Sequence, residues 1–489
     1  NYLRMAVIRP FLLFLPFLLF SPSAAFVDDP NLCLRLTSAA HDEIQELPGL
    51  SFRPNFKHYS GFLKTTSKNL FHYWFVTSEN KPCQDPLLFW FNGGPGCSSL
   101  GGLLDELGPY LINADGKTLR KSPYAWNKNA SIVYIESPAG VGFSHSVDGL
   151  PAPSSDDSTA AENYEAVKQF FNKFPLFRAN PTFITGESYA GIYVPMLVAK
   201  IVDGQAEFPI NLEGMAIGNG FVNAPLDTDT LARFAYAHGL VEESKWNQIA
   251  KQCCGGCLDT CDLGSLYGSC RSIVAEIVHF CWRGGLNVYD IYENCTPHPN
   301  NLDIMRRGIF NAKSMHSNDS VLWRTDDAFE NANQPKEEKV NYLLRCLNGQ
   351  PLVDYLNKDQ VRKALHIPPT VPSWTQCSRW VAMHYRNQYA DMSHFVWKAL
   401  WANVRVLLFY GDTDMACNFL LGQRFSEMLG LKRLGTNLWH FGGQIAGIKT
   451  EYGSGLTYIT VRGAGHMVPQ KRGSEIEYAI GQFLTNRTI

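Results

Sequence analysis

An α/β fold, with a mostly parallel central sheet flanked by helices and carrying an inserted cap, is predicted by three features of this 489-residue sequence. Short β-rich runs recur along the chain, and several are continuously apolar, as expected of strands covered on both faces. Helical stretches such as Ala160–Phe174 lie between them. The rhythm breaks once, from about residue 220 to residue 348, and then resumes.

Seven strands are expected: Leu70–Val76, Leu87–Phe91, Ile132–Ile135, Thr182–Thr185, Gly214–Ile217, Val404–Tyr410 and Thr457–Val461. The interrupting segment holds a Cys cluster, charged stretches and an Asn- and Lys-rich tract over Asn318–Lys339. It reads as a cap spanning residues 220–348, inserted into a core built from residues 26–219 and 349–489. Arg306-Arg307 and the polar tract after it read as an exposed, cuttable loop within about residues 303–340.

The N-terminus reads as a secretory address. Starting from Met5, one basic residue, Arg9, precedes the apolar run Phe11–Phe20 and then small residues at Ser23 and Ala25. Ten apolar residues are about half of the roughly 20 that span a bilayer, so residues 1–25 read as a signal peptide and not as a membrane anchor. The 13 cysteines suit that compartment. Cys253, Cys254, Cys257, Cys261 and Cys270 have some zinc-like spacings, but in a secreted chain disulfides are the expected state, and the odd count leaves at least one thiol over. Sequons begin at Asn129, Asn294, Asn318 and Asn486.

With 45% hydrophobic and 13% aromatic residues the chain can bury a sizeable core. Its 43 Lys plus Arg against 45 Asp plus Glu give no electrostatic reason to expect nucleic acid or a membrane surface as partner. No His-Glu-x-x-His motif occurs among the 13 His, and neither a metal nor another cofactor is expected.

The chemistry is therefore sought in local motifs. Thr182-Phe-Ile-Thr-Gly-Glu-Ser-Tyr-Ala-Gly191 reads as a strand running into a tight turn and a helix start, the form of a nucleophile elbow that lifts Ser188 above the sheet edge. Two later strands end in Gly-Asp-Thr-Asp414 and in Arg-Gly-Ala-Gly-His466. The order Ser, Asp, His, each beyond a strand end, is that of α/β-hydrolases. A Ser hydroxyl is a weak nucleophile at its free pKa. His466 is thus the expected base that takes its proton, with Asp414 orienting the ring. Backbone N–H groups of Tyr189 and of the turn Asn92-Gly-Gly-Pro-Gly-Cys97 are the expected oxyanion donors; that turn lacks the Lys-Ser/Thr of a phosphate loop.

These motifs, with Phe89-Trp-Phe-Asn-Gly-Gly-Pro-Gly-Cys-Ser-Ser99 and Glu136-Ser-Pro-Ala-Gly-Val-Gly-Phe-Ser144, resemble the serine carboxypeptidases over about Asp42 to Phe483. Within that family Asp42-Glu-Ile-Gln, Leu47-Pro-Gly-Leu, His72-Tyr-Trp-Phe-Val and Cys253-Cys254 are most similar to the cathepsin A-like, lysosomal branch. The resemblance implies an acid peptidase that removes single C-terminal residues. It picks Asp414 over Asp412, puts the oxyanion donors at Gly94 and Tyr189, and assigns Asn92, Gly93, Glu106 and Glu187 to the substrate's terminal carboxylate, with Trp90 lining the same subsite. It further implies the bridges Cys97–Cys377, Cys295–Cys346 and Cys253–Cys270, with Cys254 joined to Cys257 or Cys261. The fates of Cys33, Cys83 and Cys281 stay open, and Cys417 is the candidate free thiol.

Two carboxyls facing a substrate carboxylate repel it when ionised but can donate to it when protonated, which suits acid pH and a lysosome or the extracellular space. The resemblance also implies a nicked zymogen, and it makes a homodimer and complexes with lysosomal glycosidases candidate assemblies. Acyl transfer to an alcohol is the rival activity, in which the residue before the nucleophile tends to be Asp; here it is Glu187.

Overall fold

The chain was studied as a computed structural model that describes residues 32–35, 37–66, 68–295, 346 and 349–489. The expected signal peptide, the expected cleavage stretch and Asn318 lie outside the described residues. The strands, in chain order, are β1 (His58–Lys64), β2 (Asn69–Val76), β3 (Leu87–Phe91), β4 (Tyr110–Ile112), β5 (Leu119–Lys121), β6 (Ser131–Ile135), β7 (His145–Ser146), β8 (Thr182–Glu187), β9 (Leu212–Gly218), β10 (Arg405–Gly411), β11 (Arg433–Phe441), β12 (Gln444–Tyr452) and β13 (Leu456–Val461). All seven expected strands are among them.

Eleven strands form one sheet, ordered β1-β2-β6-β3-β8-β9-β10-β13-β12-β11, with β7 beside β2. The six from β6 to β13 are mutually parallel, and antiparallel pairs close both sides. Alternate residues of the central strands feed two different cores. Leu87, Phe89 and Phe91 of β3 join one, and Leu88 and Trp90 the other; Val406, Leu408 and Tyr410 of β10 part from Leu407 and Phe409 in the same way. Period-2 side-chain geometry with both faces covered requires apolar residues at every position, hence the continuous runs.

Helices supply the cover. α1 (Asp156–Lys173) and α2 (Ala190–Asp203) pack on one face, with Ala166, Val167, Phe170, Ile192 and Leu197 in that core. α1 starts four residues before the expected Ala160. A capping box between Ser155 and Ser158 satisfies its first N–H groups, while Asp156 and Asp157 suit the positive end of the helix dipole, so a polar turn with no apolar period is still helical. On the other face Ile476, Ala479, Ile480 and Phe483 of the C-terminal helix Gly473–Leu484 meet the second core.

A third hydrophobic cluster lies over helices Ala224–Ala237, Glu243–Cys253 and Gly268–Arg283, within the expected insertion. It includes Leu231, Trp246, Ile249, Val274, Val288 and Tyr289, and it packs on Cys97, Cys377, Met415 and Ala416 from the flanking segments.

The long hairpin of β11 and β12 was not among the expected strands. Its Leu434, Leu438, Ile445 and Ile448 are exposed and carry no clean apolar alternation, because this pair lies at one end of the sheet order. Among the described residues no helix is long and apolar enough to cross a membrane.

Because β3, β8, β9, β10 and β13 run parallel, the segments that follow them all emerge at one edge of the sheet: Asn92, Ser188, Asn219, Asp414 and His466. Carboxyl ends of parallel strands are where open α/β sheets hold their ligands.

Candidate active site

Ser188 occupies the single step between β8 and the turn into α2, at φ 63°, a left-handed conformation that costs a non-glycine residue energy. Local bonds hold it there: its N–H donates to Gly218 O at 3.1 Å, and its carbonyl accepts from Gly191 N and Phe221 N, both at 2.9 Å. The hydroxyl is 2% exposed as a residue and has no hydrogen-bond partner among the described residues.

Asp414 and His466 are brought together across 52 residues, with His466 Nδ1 lying 2.7 Å from Asp414 Oδ2. Both are buried. Asp414 Oδ1 also accepts from Ala416 N at 2.9 Å, and Oδ2 accepts from Cys417 N at 3.2 Å. The His466 backbone N–H is anchored on Tyr289 O at 2.7 Å, and the Tyr289 ring lies against the imidazole with centroids 5.1 Å apart. Nε2, the remaining ring nitrogen, is buried and, like the Ser188 hydroxyl, has no hydrogen-bond partner among the described residues. With Nδ1 tied to a carboxylate, Nε2 is the atom left to take a proton. Asp412, the other acid of that turn, instead accepts from Gly463 N at 2.6 Å.

The Gly-rich turn after β3 comes against the elbow. A Cβ on Gly93 would sit 2.3 Å from Tyr189 N and 2.8 Å from the Ser188 Cβ, so only glycine lets the two backbones approach this closely. Gly94 follows with φ 116°, and Cys97 is bridged to Cys377.

Asn92, Trp90, Glu106 and Glu187 form one buried cluster beside the elbow. Trp90 Nε1 donates to Asn92 Oδ1 at 2.7 Å, which turns the Asn92 amide nitrogen toward the acids: it donates to Glu187 Oε1 at 2.8 Å and to Glu106 Oε1 at 3.3 Å. Glu106 Oε2 is buried, and among the described residues no N–H or hydroxyl donates to it. Burial raises both carboxyls above the usual Glu range. Glu187 is driven furthest: the charge of Glu106, a hydrogen bond shared with it and the charge of Asp414 add to its desolvation, while Asn92 opposes them. Such a pair titrates jointly, and both shifts favour the protonated form.

The remaining cysteines form the bridges Cys33–Cys83, Cys253–Cys270, Cys254–Cys261 and Cys295–Cys346. The open choice for Cys254 thus falls on Cys261, and Cys33 pairs with Cys83. Cys257, Cys281 and Cys417 are free, the first exposed and the others buried. Asn129, Asn294 and Asn486 are all exposed. Sequence reasoning did not single out Asn219 or Tyr289. Neither sits in a motif whose chemistry can be read without its neighbours in space.

The serine carboxypeptidase family model matches residues 48–486. The chain is 39% identical to the lysosomal protective protein of Mus musculus, over 88% of this chain and 90% of that protein. It is 36% identical to the serine carboxypeptidase ctsa-4.1 of Caenorhabditis elegans, over 94% and 96%. The solved structure of a prohormone-processing carboxypeptidase from Saccharomyces cerevisiae superposes with a TM-score of 0.70 over 92% of this chain and 97% of that one; at 22% identity it shows the shared α/β-hydrolase fold. This chain belongs to the serine carboxypeptidase family.

Proposed function

We propose that the chain releases single C-terminal residues from peptides at acid pH through an acyl-enzyme, with Ser188 as nucleophile, His466 as general base and then acid, and Asp414 as the group that orients the imidazole. The observation that carries this reading is the cluster of Asn92, Glu106 and Glu187 directly beside Ser188: a buried carboxyl pair that retains a proton can donate to a substrate's terminal carboxylate, and it confines cleavage to the last peptide bond.

In the first half-reaction Ser188 Oγ attacks the scissile carbonyl while His466 Nε2 takes its proton and passes it to the departing amine. The N–H groups of Gly94 and Tyr189 receive the oxyanion. Water then repeats the sequence against the acyl-Ser188 ester. Asn92, Gly93, Glu106, Glu187 and Trp90 form the carboxylate subsite. The hydrophobic cluster over Leu231 and Tyr289 packs on Cys97 and Met415, which supports reading residues 220–348 as a cap over the site, nicked within 303–340 on activation.

Five disulfides favour an oxidising compartment, and the kinship with a lysosomal protein favours the lysosome or secretion, with sugar on Asn129, Asn294, Asn318 and Asn486. The same kinship makes a homodimer and lysosomal glycosidases the partners to look for. The test is release of C-terminal amino acid from an N-blocked dipeptide at about pH 5 and about pH 7 by nicked wild type and Ser188→Ala. Acid-favoured release that Ser188→Ala abolishes supports the reading. An ester formed only when an alcohol acceptor is added would move it to acyl transfer.

A further inference from the structure

Asn219 stands where β9 ends, 195 positions before Asp414, and its side chain is fully buried. Its Nδ2 donates to Asp414 Oδ2 at 2.7 Å and to Cys417 O at 3.3 Å, and its Oδ1 accepts from Gly411 N at 3.0 Å. The three partners fix which way the amide points: reversing it would set a carbonyl against the Asp414 carboxylate and an NH₂ against an N–H. Asn219 has φ 39°, and its own N–H donates to Phe409 O at 2.8 Å. A buried non-glycine held in a left-handed conformation is over-determined by its surroundings, a state that collects at functional sites.

The same turn holds the nucleophile. Gly218 O accepts from Ser188 N, and Phe221 N donates to Ser188 O. The fit is tight enough that a Cβ on Gly191, at the start of α2, would meet Phe221 N and O at 2.7 Å. Four residues, Gly218 to Phe221, thus hold the backbone of Ser188 on one side and the carboxylate of Asp414 on the other, although those two residues never touch in sequence.

We infer that Asn219 is a positioning residue for the reaction: its amide presses the Asp414 carboxylate into the orientation that His466 requires and ties that orientation to the nucleophile elbow. The inference rests on the triad assigned above. Asp414 Oδ2 carries donors from Cys417 N, Asn219 and the His466 ring, and only the Asn219 contact reaches it from β9. The other titratable groups whose charge is felt with that of Asp414 are Glu187, Asp227, Cys417, Tyr289 and Tyr410.

The test measures the rate at which a fluorophosphonate labels Ser188, together with kcat and KM on a blocked dipeptide, from about pH 4.5 to about pH 8. Wild type, Asn219→Ala, Asn219→Gly and Asn219→Asp are compared as full chains. Ala and Gly should both slow labelling by about 10- to 100-fold, the loss expected from a catalytic group displaced by about 1 Å, and should lower kcat while KM stays within about twofold. Gly relieves the backbone strain, so equal losses in the two variants assign the effect to the amide.

In Asn219→Asp a protonated carboxyl can donate to Asp414 Oδ2, whereas two ionised carboxylates repel. The rate relative to wild type should therefore climb as pH falls. That ratio decides the matter even if the Ala variant folds poorly. Wild-type labelling by Asn219→Gly, or a flat Asn219→Asp ratio across pH, overturns the inference. A wild type whose Ser188 takes no label overturns the underlying triad with it.

Discussion

Asn92 donates through Nδ2 to Glu187 Oε1 at 2.8 Å, and this one bond fixes the acid next to the nucleophile in a buried wall. Glu106 shares the same amide at 3.3 Å. Desolvation raises both carboxyls, so the proton they hold at acid pH is lost as pH rises, and repulsion of a substrate carboxylate sets in. KM of wild type for a blocked dipeptide should accordingly rise between about pH 5 and about pH 7. Glu187→Gln retains a donor that cannot ionise. Its KM should match wild type within a few-fold at the acid end and rise less toward neutrality; superimposable profiles would speak against a role for the shared proton.

Asp414→Asn should cost about 10⁴-fold in kcat with the fold intact, because an amide can hold the imidazole in the wrong tautomer while keeping its place. Asp412→Asn, at the acid bonded to Gly463 N, should leave kcat within about threefold. Steady-state kinetics on the two variants compare the neighbours directly.

Gly93→Ala tests the approach of the Gly-rich turn to the elbow. Its methyl would need the space 2.3 Å from Tyr189 N, and backbone must move to give way. Displacing an N–H from a developing oxyanion costs about 10²- to 10³-fold in kcat, which is the expected loss. Far-ultraviolet circular dichroism should be unchanged, since the strands on either side stay covered.

Stability should fall as pH rises. Burial, reinforced by the charge of Asp414, raises Asp227 to about 7. A carboxyl whose folded pKa lies above its unfolded value of about 3.9 favours the fold fully below that value and ceases to do so as pH climbs through about 7. A displacement of this size is worth on the order of 4 kcal/mol. Urea unfolding should show wild type weaker at about pH 7.5 than at about pH 5, and Asp227→Asn should narrow that gap; an unaltered gap would assign the pH dependence to other groups.

Removing the Cys97–Cys377 bridge, which ties the turn after β3 to a segment 280 residues on, should cost about 2–5 kcal/mol. Denaturant unfolding of the Cys97→Ser/Cys377→Ser pair measures it. Activity should fall along with stability, since Gly94 stands three residues before the lost anchor and Cys97 N donates to Gly93 O at 3.0 Å.

The central strands were readable from the chain because burial on both faces leaves no room for a polar position: Leu87–Phe91 and Val406–Tyr410 are apolar at every step. The elbow around Ser188 and the turns to Asp414 and His466 were readable for a related reason. A strained turn, an acid and an imidazole at strand ends are constraints written in a few adjacent residues. The hairpin of β11 and β12 was not, since Leu438 and Ile448 face solvent and burial imposes no pattern there.

By itself, then, the sequence determined the sheet's central strands, the order of the triad residues and the family. Tertiary structure alone decided what holds them: that Asn219 supports Asp414, that Tyr289 backs His466, and that Cys254 reaches Cys261 and not Cys257. Local patterns record what each strand and turn demands of its own few residues. A contact between Asn219 and Asp414, 195 positions apart, leaves no periodic trace, and it exists only once parallel strands have carried both side chains to the same edge of the sheet.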